Sequence, residues 1–128
     1  MTLVSGSTNL AMIGIGCADP RALADFYHQV LGWRIMDSED DHATIKGDGV
    51  PIVFWRVDGR PPRWPDPDSP KQFTLNLQAD DLDEAEERCV KLGATKPDFQ
   101  PGDPWRVLID PAGYPFCITA ARKSVRIT

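Results

Sequence analysis

The stretch ADPRALADFYHQVLGW at residues 18–33 predicts the first helix of the chain and both of its ends. Asp19 followed by Pro20 is typical of a helix start, because the carboxylate can accept a hydrogen bond from the first turn and proline suits the first helical position. Gly32 is typical of a helix end, since glycine adopts the left-handed conformation without strain. Apolar residues between these ends follow one helical face, at Leu23, Phe26, Tyr27, Val30 and Leu31.

The sequence on either side of this helix predicts short strands. Residues 9–17 form an apolar run that contains glycine, and residues 51–57 are rich in β-branched and aromatic side chains. Residues 33–36 and 43–46 predict two further strands, separated by an acidic turn at residues 38–41. The predicted order in this part of the chain is β-α-β-β-β.

The same order recurs after a proline-rich connector. Residues 58–70 include five prolines, which predicts a semi-rigid segment without regular structure. Ala24 and Gly32 of the first helix have counterparts 61 positions later in Ala85 and Gly93, which indicates an internal repeat. The repeated strand, helix and three strands are predicted at residues 73–79, 82–92, 95–99, 105–109 and 114–120.

Length, composition and charge limit the possible functions. The 128 residues suit one domain, and 41% hydrophobic with 26% charged residues is typical of globular proteins. The net charge of −5 argues against nucleic-acid binding, which favours a basic surface. There is no apolar run of roughly 18 residues and no signal-peptide pattern at the N-terminus. Three widely spaced cysteines without a C-x-x-C pair favour a reducing compartment, so we expect a cytoplasmic protein without membrane contact.

Together, the motifs resemble the vicinal oxygen chelate superfamily of glyoxalases, bleomycin-resistance proteins and extradiol dioxygenases, and in particular its glyoxalase-like subgroup. The resemblance is carried by the first helix with its flanks and by DDLDEA, LGA and DPAGYPF, at residues 18–33, 80–85, 92–94 and 110–116. It implies an α+β fold of two βαβββ modules in tandem and a homodimer, with the modules paired within a chain or swapped between chains. The implied single domain at residues 1–128 comprises module one at about 9–57, a linker at 58–70, module two at about 71–120 and a tail at 121–128.

The enzymes of this superfamily hold a divalent metal with His, Glu or Gln side chains on particular strands. The resemblance places Met12, Trp55, Thr74 and Cys117 at those positions, and these are not the usual ligands of a hard divalent metal. The four glutamates all fall in a predicted turn or in the second helix. We therefore expect no metal and no cofactor, which disfavours a metal-dependent glyoxalase or dioxygenase.

The residues expected to line a binding cup are mostly aromatic or apolar, with a few hydrogen-bonding groups. Four tryptophans in 128 residues favour a pocket for a small organic ligand, itself aromatic. Trp55 and Trp105 belong to opposite halves, so both could face one cup. The candidate ligand-binding residues are Met12, Gly14, Trp33, Phe54, Trp55, Arg56, Thr74, Asn76, Trp105, Tyr114, Phe116 and Cys117.

Three functions are compatible with this pattern. The leading hypothesis is a metal-free binding protein that sequesters an aromatic natural product or antibiotic, similar to the resistance proteins of the superfamily. The alternative is a metal-independent enzyme, lyase-like or isomerase-like, in which Tyr114, Asn76 or His42 transfers a proton on a natural-product intermediate. The third is a regulatory domain without a small ligand. His28 is predicted at the surface, whereas His42 is predicted either in the cup or in a solvated turn.

Overall fold

The computed structural model describes residues 9–58, 74–102 and 105–120, so most of the predicted connector and the tail at 121–128 lie outside the described residues. The chain divides into two compact units, Met1–Val57 and Asp58–Thr128. The elements of the first are β1 (Ile13–Cys17), α1 (Pro20–Leu31), β2 (Arg34–Ser38), β3 (His42–Lys46) and β4 (Ile52–Arg56). Those of the second are β5 (Leu75–Ala79), α2 (Leu82–Lys91), β6 (Trp105–Ile109) and β7 (Pro115–Ala120).

The first sheet has the strand order β1-β4-β3-β2 and is covered on one face by α1. β1 runs parallel to β4, and β3 runs antiparallel to both of its neighbours. The register between β2 and β3 shifts between Ile35 and Asp37. As predicted, α1 begins after Asp19, whose carboxylate accepts a hydrogen bond from the Ala22 amide at 3.1 Å, and ends at Gly32 with a φ of 72°.

Aromatic packing between α1 and β4 forms the core of the first unit. The rings of Tyr27 and Phe54 stack with their centroids 5.9 Å apart and their planes 2° from parallel. Ala43 and Ile45 of β3 are fully buried on the same side, beside Leu23 of α1. Every second residue of β3 and β4 therefore packs under the helix.

The second sheet, within the described residues, has three strands in the order β5-β7-β6. β5 runs parallel to β7, β6 runs antiparallel to it, and α2 packs against β7. The helix begins after Asp81, whose carboxylate accepts from the Glu84 amide at 3.0 Å. Asp81 thus repeats the cap of Asp19, which lies 62 positions earlier. The α+β class and the tandem βαβββ organisation are confirmed, although the described part of the second module has one strand fewer than the first.

The prediction of a strand at residues 95–99 is wrong. Of these five residues, only Thr95 forms a bridge, to Ile109. Beyond this segment, the side-chain amide of Gln100 makes the hydrogen bonds to β6 that a neighbouring strand would make. Its Nε2 donates to the Val107 carbonyl at 3.0 Å, and its Oε1 accepts from the Val107 amide at 2.9 Å. Pro97, which has no N–H to donate, lies between these two contacts.

The turn between β6 and β7 explains the DPAGYPF motif. One oxygen of the Asp110 carboxylate, in a residue only 5% exposed, accepts hydrogen bonds from the amides of Ala112 at 2.9 Å and Tyr114 at 3.0 Å. Gly113 adopts a φ of 93°, which disfavours other residues. The motif therefore fixes the hairpin that aligns β6 with β7.

We expect Asp110→Ala to lower the free energy of unfolding by about 1–3 kcal/mol, because two backbone amides lose a buried acceptor. Asp110→Asn is the matched control, since its side-chain oxygen can still accept both hydrogen bonds, and it should lose less. Chemical denaturation followed by tryptophan fluorescence measures both values. Equal midpoints for the parent and Asp110→Ala would show that the turn does not depend on this carboxylate.

Candidate ligand-binding site

Two glycines of β1 allow the side chains of Trp55 in β4 and of Val57 just after it to pack close to the backbone of β1, on the face of the first sheet opposite α1. A Cβ added at Gly14 would lie 3.0 Å from the indole nitrogen of Trp55, and one at Gly16 would lie 3.0 Å from the methyl carbons of Val57. The nitrogen-bearing edge of the Trp55 indole therefore occupies the space that a side chain at residue 14 would need. Trp55 remains 46% exposed.

His42 stands beside this indole. It is the cross-strand partner of Trp55 in the β3–β4 ladder, and such partners project from the same face of a sheet. The two ring centroids are 6.0 Å apart and the planes are tilted by 40°. We call Gly14, His42 and Trp55 together the Trp55 platform.

Carboxylates hold the imidazole of His42 from two sides. Its Nδ1 lies 2.8 Å from Oδ1 of Asp41, and its Nε2 lies 3.7 Å from Oδ1 of Asp37. A carboxylate only accepts hydrogen bonds, so Nδ1 carries the hydrogen and donates it to Asp41. This hydrogen bond raises the pKa of His42 and lowers the pKa of Asp41, while the charges of Asp37 and Glu39 favour the imidazolium further.

The Asp41–His42 pair also makes stability depend on pH, in a direction that the two pKa shifts fix. The raised pKa of His42 stabilises the fold below its ordinary value of about 6.5, and this contribution is lost as the pH rises through the folded-state value. The lowered pKa of Asp41 contributes above about 3.9 and is lost as the pH falls through its folded-state value. Both groups are solvated, so the effect is screened by salt.

On the second sheet, Asn76, Trp105 and Cys117 share the face opposite α2. Asn76 and Cys117 are partners in the β5–β7 ladder, and Trp105 alternates with Arg106 in β6. The guanidinium of Arg106 pairs with Asp83 and Glu86 of α2, which fixes Arg106 on the helix side and Trp105 on the other. Trp105 is 43% exposed, whereas Cys117 is buried.

Two other candidates flank the strands at their beginnings. Met12 precedes β1 and is half exposed. Thr74 precedes β5, and its carbonyl accepts a hydrogen bond from the Asn76 side chain at 3.4 Å.

The remaining predicted site residues lie elsewhere. Phe54 and Phe116 are fully buried on the helix sides of their sheets, so they belong to the cores. Arg56 alternates with Trp55 and thus lies on the α1 side. Trp33 packs on Gly47, where a Cβ would come 2.5 Å from the indole nitrogen. Tyr114 lies in the hairpin turn.

The sequence contains a signal that could have placed His42 on the Trp55 platform. In the segment HATIK, Ala43 and Ile45 are the apolar residues, and both are fully buried under α1. Strand alternation then puts His42 and Thr44 on the opposite face. The same alternation applied to IVFWR leaves two readings, because its first four residues are all apolar.

The donors at the four positions that the resemblance assigns to a metal do not fit a divalent metal. They are the thioether of Met12, the indole of Trp55, the hydroxyl of Thr74 and the buried thiol of Cys117, whereas hard divalent ions take carboxylate, imidazole and carbonyl donors. Among the described residues there is also no group of three or more His, Cys, Asp or Glu side chains that could hold a metal ion. Neither of the two described helices is long and apolar enough to cross a membrane.

The family model described as a glyoxalase-like domain matches residues 12–119 of this sequence. The chain belongs to this family. This match confirms the predicted resemblance. Solved structures of other proteins share the fold of this glyoxalase-like domain. A glyoxalase/bleomycin resistance protein/dioxygenase family enzyme from Burkholderia phytofirmans is 20% identical, with a TM-score of 0.65 over 88% of this chain and 98% of that one.

Two other similar structures are fosfomycin resistance proteins. FosX from Listeria monocytogenes, a mutant form complexed with Mn(II) and 1S,2S-dihydroxypropylphosphonic acid, is 17% identical, with a TM-score of 0.69 over 94% of each chain. FosX from Mesorhizobium loti is 14% identical, with a TM-score of 0.67 over 95% of this chain and 97% of that one. At these identities the likeness concerns the fold. A search of curated proteins gives no significant match.

We expect purified protein to contain well below one equivalent of Mn, Fe, Ni or Zn per chain, because the donor set does not suit these ions. Elemental analysis measures the content, and adding each metal should leave the melting temperature unchanged. One bound equivalent that is lost in Thr74→Ala or Cys117→Ala, but kept in Cys89→Ala, would contradict this expectation. Cys89 is the control because it is a buried cysteine of α2.

Proposed function

We propose that this glyoxalase-like domain is a metal-free small-molecule-binding protein that stacks a planar aromatic ligand on Trp55 and sequesters it, in the manner of a resistance protein. The ligand is a natural product or an antibiotic with an aromatic ring system. The observation that carries the proposal is the indole of Trp55, which packs close to Gly14 on the face opposite α1 and remains 46% exposed.

The platform suits stacking for two physical reasons. The indole packs against β1 at Gly14, so the ring loses little additional freedom when a ligand binds. Stacking an aromatic ligand on such a ring contributes about 0.5–1.5 kcal/mol beyond the burial of apolar area. Val57, which is also exposed on this face, extends the apolar surface beyond the end of β4.

The charges around the platform favour a cationic ligand. Four of the five residues at 37–41 are Asp or Glu, and the net charge of the chain is −5. Asp40 is paired with Arg21 at 3.3 Å, but Asp37 and Asp41 flank His42 at the edge of the platform. A cation placed over the indole is attracted both by these carboxylates and by the ring itself.

The alternative function is a metal-independent lyase or isomerase acting on a natural-product intermediate. A specific observation favours it, namely the hydrogen bond from His42 to Asp41 beside the exposed indole. A metal-dependent glyoxalase or dioxygenase is disfavoured by the chemistry of the donors at the metal positions. The fosfomycin resistance proteins share the fold of this chain. That this chain also has a resistance function is part of the proposal.

We expect Trp55→Ala to weaken the binding of proflavine, a planar aromatic cation, at least tenfold, because it removes both stacking and contact area. Trp105→Ala is the comparison variant, because it removes a tryptophan of similar exposure from the other sheet. Thr74→Val should cost less, since a neutral hydrogen bond contributes about 1 kcal/mol. Quenching of tryptophan fluorescence during titration gives the dissociation constants.

A matched ligand separates stacking from charge in this titration. Anthracene-2-sulfonate has a similar planar area and a negative charge, so it should bind more weakly than proflavine. If both tryptophan variants bind proflavine as tightly as the parent, stacking is not the basis of recognition. If, in addition, Thr74→Val or His42→Ala abolishes the turnover of a bound compound, the enzymatic alternative becomes the leading hypothesis.

We further propose that the protein is a cytoplasmic homodimer. β1 and β2 form the two edges of the first sheet, and edge strands carry backbone groups that can pair with another chain. Sedimentation at micromolar concentration should therefore give a species of twice the chain mass. A single monomeric species under these conditions would rule the dimer out.

A further inference from the structure

We propose that His42 is a general base for a ligand lying on Trp55, so that the Trp55 platform transfers protons from planar aromatic carbon acids. The inference rests on the proposed function, because the ligand must first stack on the indole. It assigns His42 as the catalytic residue and Asp41 as the positioning residue.

The geometry leaves one nitrogen of His42 available for a ligand. Because Nδ1 donates its hydrogen to Asp41 at 2.8 Å, the neutral ring carries its lone pair on Nε2. Oδ1 of Asp37 lies 3.7 Å from Nε2. This oxygen is an acceptor at a distance beyond a hydrogen bond, so it does not occupy the lone pair.

A ligand on the platform lies close to the imidazole of His42. A ring stacked on Trp55 lies about 3.5 Å above the indole, at van der Waals contact. The imidazole of His42 is centred 6.0 Å from the indole, so a fused-ring ligand that stacks on the indole reaches the imidazole with one edge. We place a C–H or O–H of that edge at Nε2, which lies on the side of His42 toward Asp37 of β2.

The surrounding charges favour proton uptake by His42. Asp37 of β2 and Glu39 and Asp41 of the acidic turn all stabilise the imidazolium, and Arg56 of β4 acts on Asp41. They raise the pKa of His42 and so make its neutral form a stronger base. After proton transfer, the new N–H on Nε2 has the carboxylate of Asp37 nearby as an acceptor.

The other two residues considered for proton transfer lack this combination. Asn76 has an amide that does not titrate, and its nitrogen donates to the Thr74 carbonyl. Tyr114 lies in the β6–β7 turn, where its backbone is hydrogen-bonded to Asp110. His42 alone among the three combines a titratable nitrogen, a carboxylate partner and an exposed aromatic neighbour.

The ring opening of 5-nitrobenzisoxazole is a balanced test of such a base. Nε2 of His42 takes the proton from carbon 3, and the electron pair of that C–H bond forms the nitrile. The N–O bond breaks, and the oxygen leaves as a coloured cyanonitrophenolate. The imidazolium then returns its proton to water. The phenol form of the product is an isomer of the substrate, so no oxidant, reductant or cofactor takes part.

The experiment compares initial rates of the full-length protein with those of His42→Gln, Asp41→Asn, Trp55→Ala and the control His28→Gln. The control replaces the other histidine, which is bonded to the Trp33 carbonyl at the end of α1. The parent rate should rise with pH, with a midpoint above the ordinary histidine value of about 6.5. His42→Gln should lose at least tenfold in kcat, and His28→Gln should match the parent.

The remaining variants distinguish catalysis from a structural role. Asp41→Asn should move the midpoint of the pH–rate profile to lower pH, because the hydrogen bond that raises the pKa of His42 then goes to a neutral amide. The pKa of the imidazole measured by NMR titration should fall in parallel. Trp55→Ala should act mainly on KM. Since Asp41→Asn keeps His42 in place, it tests the inference even if His42→Gln fails to fold.

Binding is measured separately with 5-nitroindole, which has the same shape but no N–O bond to break. If it binds in a Trp55-dependent manner and the ring-opening rate is independent of His42, the inference is overturned while the proposed function stands. If neither 5-nitroindole nor proflavine depends on Trp55 for binding, both are overturned. A rate midpoint that does not move in Asp41→Asn also contradicts the inference.

Discussion

The stacking of Tyr27 on Phe54 is the contact on which the arrangement of the first unit depends. It fixes which side of β4 faces α1, and in a strand of period two it thereby fixes the direction of the neighbouring side chains. Trp55 is placed on the opposite face, and the β3–β4 register brings His42 beside it. A buried contact of apolar rings thus decides the position of an exposed aromatic and of a titratable group.

The sequence was sufficient to predict the order of most elements, because each helix begins and ends at residues that cap it locally. Asp19 caps the first helix and Gly32 ends it, as expected, and Asp81 caps the second helix in the same way. Pro97 was a signal in the sequence against a strand at 95–99. The contacts that replace this strand could not be predicted, since they come from a side chain. The amide of Gln100 does what backbone groups were expected to do.

The candidate site was harder to predict than the fold, for a reason that lies in β4. Ile52, Val53, Phe54 and Trp55 are all apolar, so hydrophobic alternation does not show which of them face the helix. The expectation therefore included both Phe54 and Trp55, and only the packing under α1 separates them. His42, in contrast, follows a clear alternation in β3, but its role depends on Asp41, whose position comes from the turn.

The contacts of Gln100 and Thr95 have a consequence for assembly. A strand from another molecule can join a sheet only where backbone donors and acceptors on the edge are unoccupied. On β6 the amide and carbonyl of Val107 are already bonded to Gln100, and those of Ile109 to Thr95. Between Val107 and Ile109, groups of the same chain already occupy this edge, so strand addition to the described second sheet is disfavoured along this part of β6.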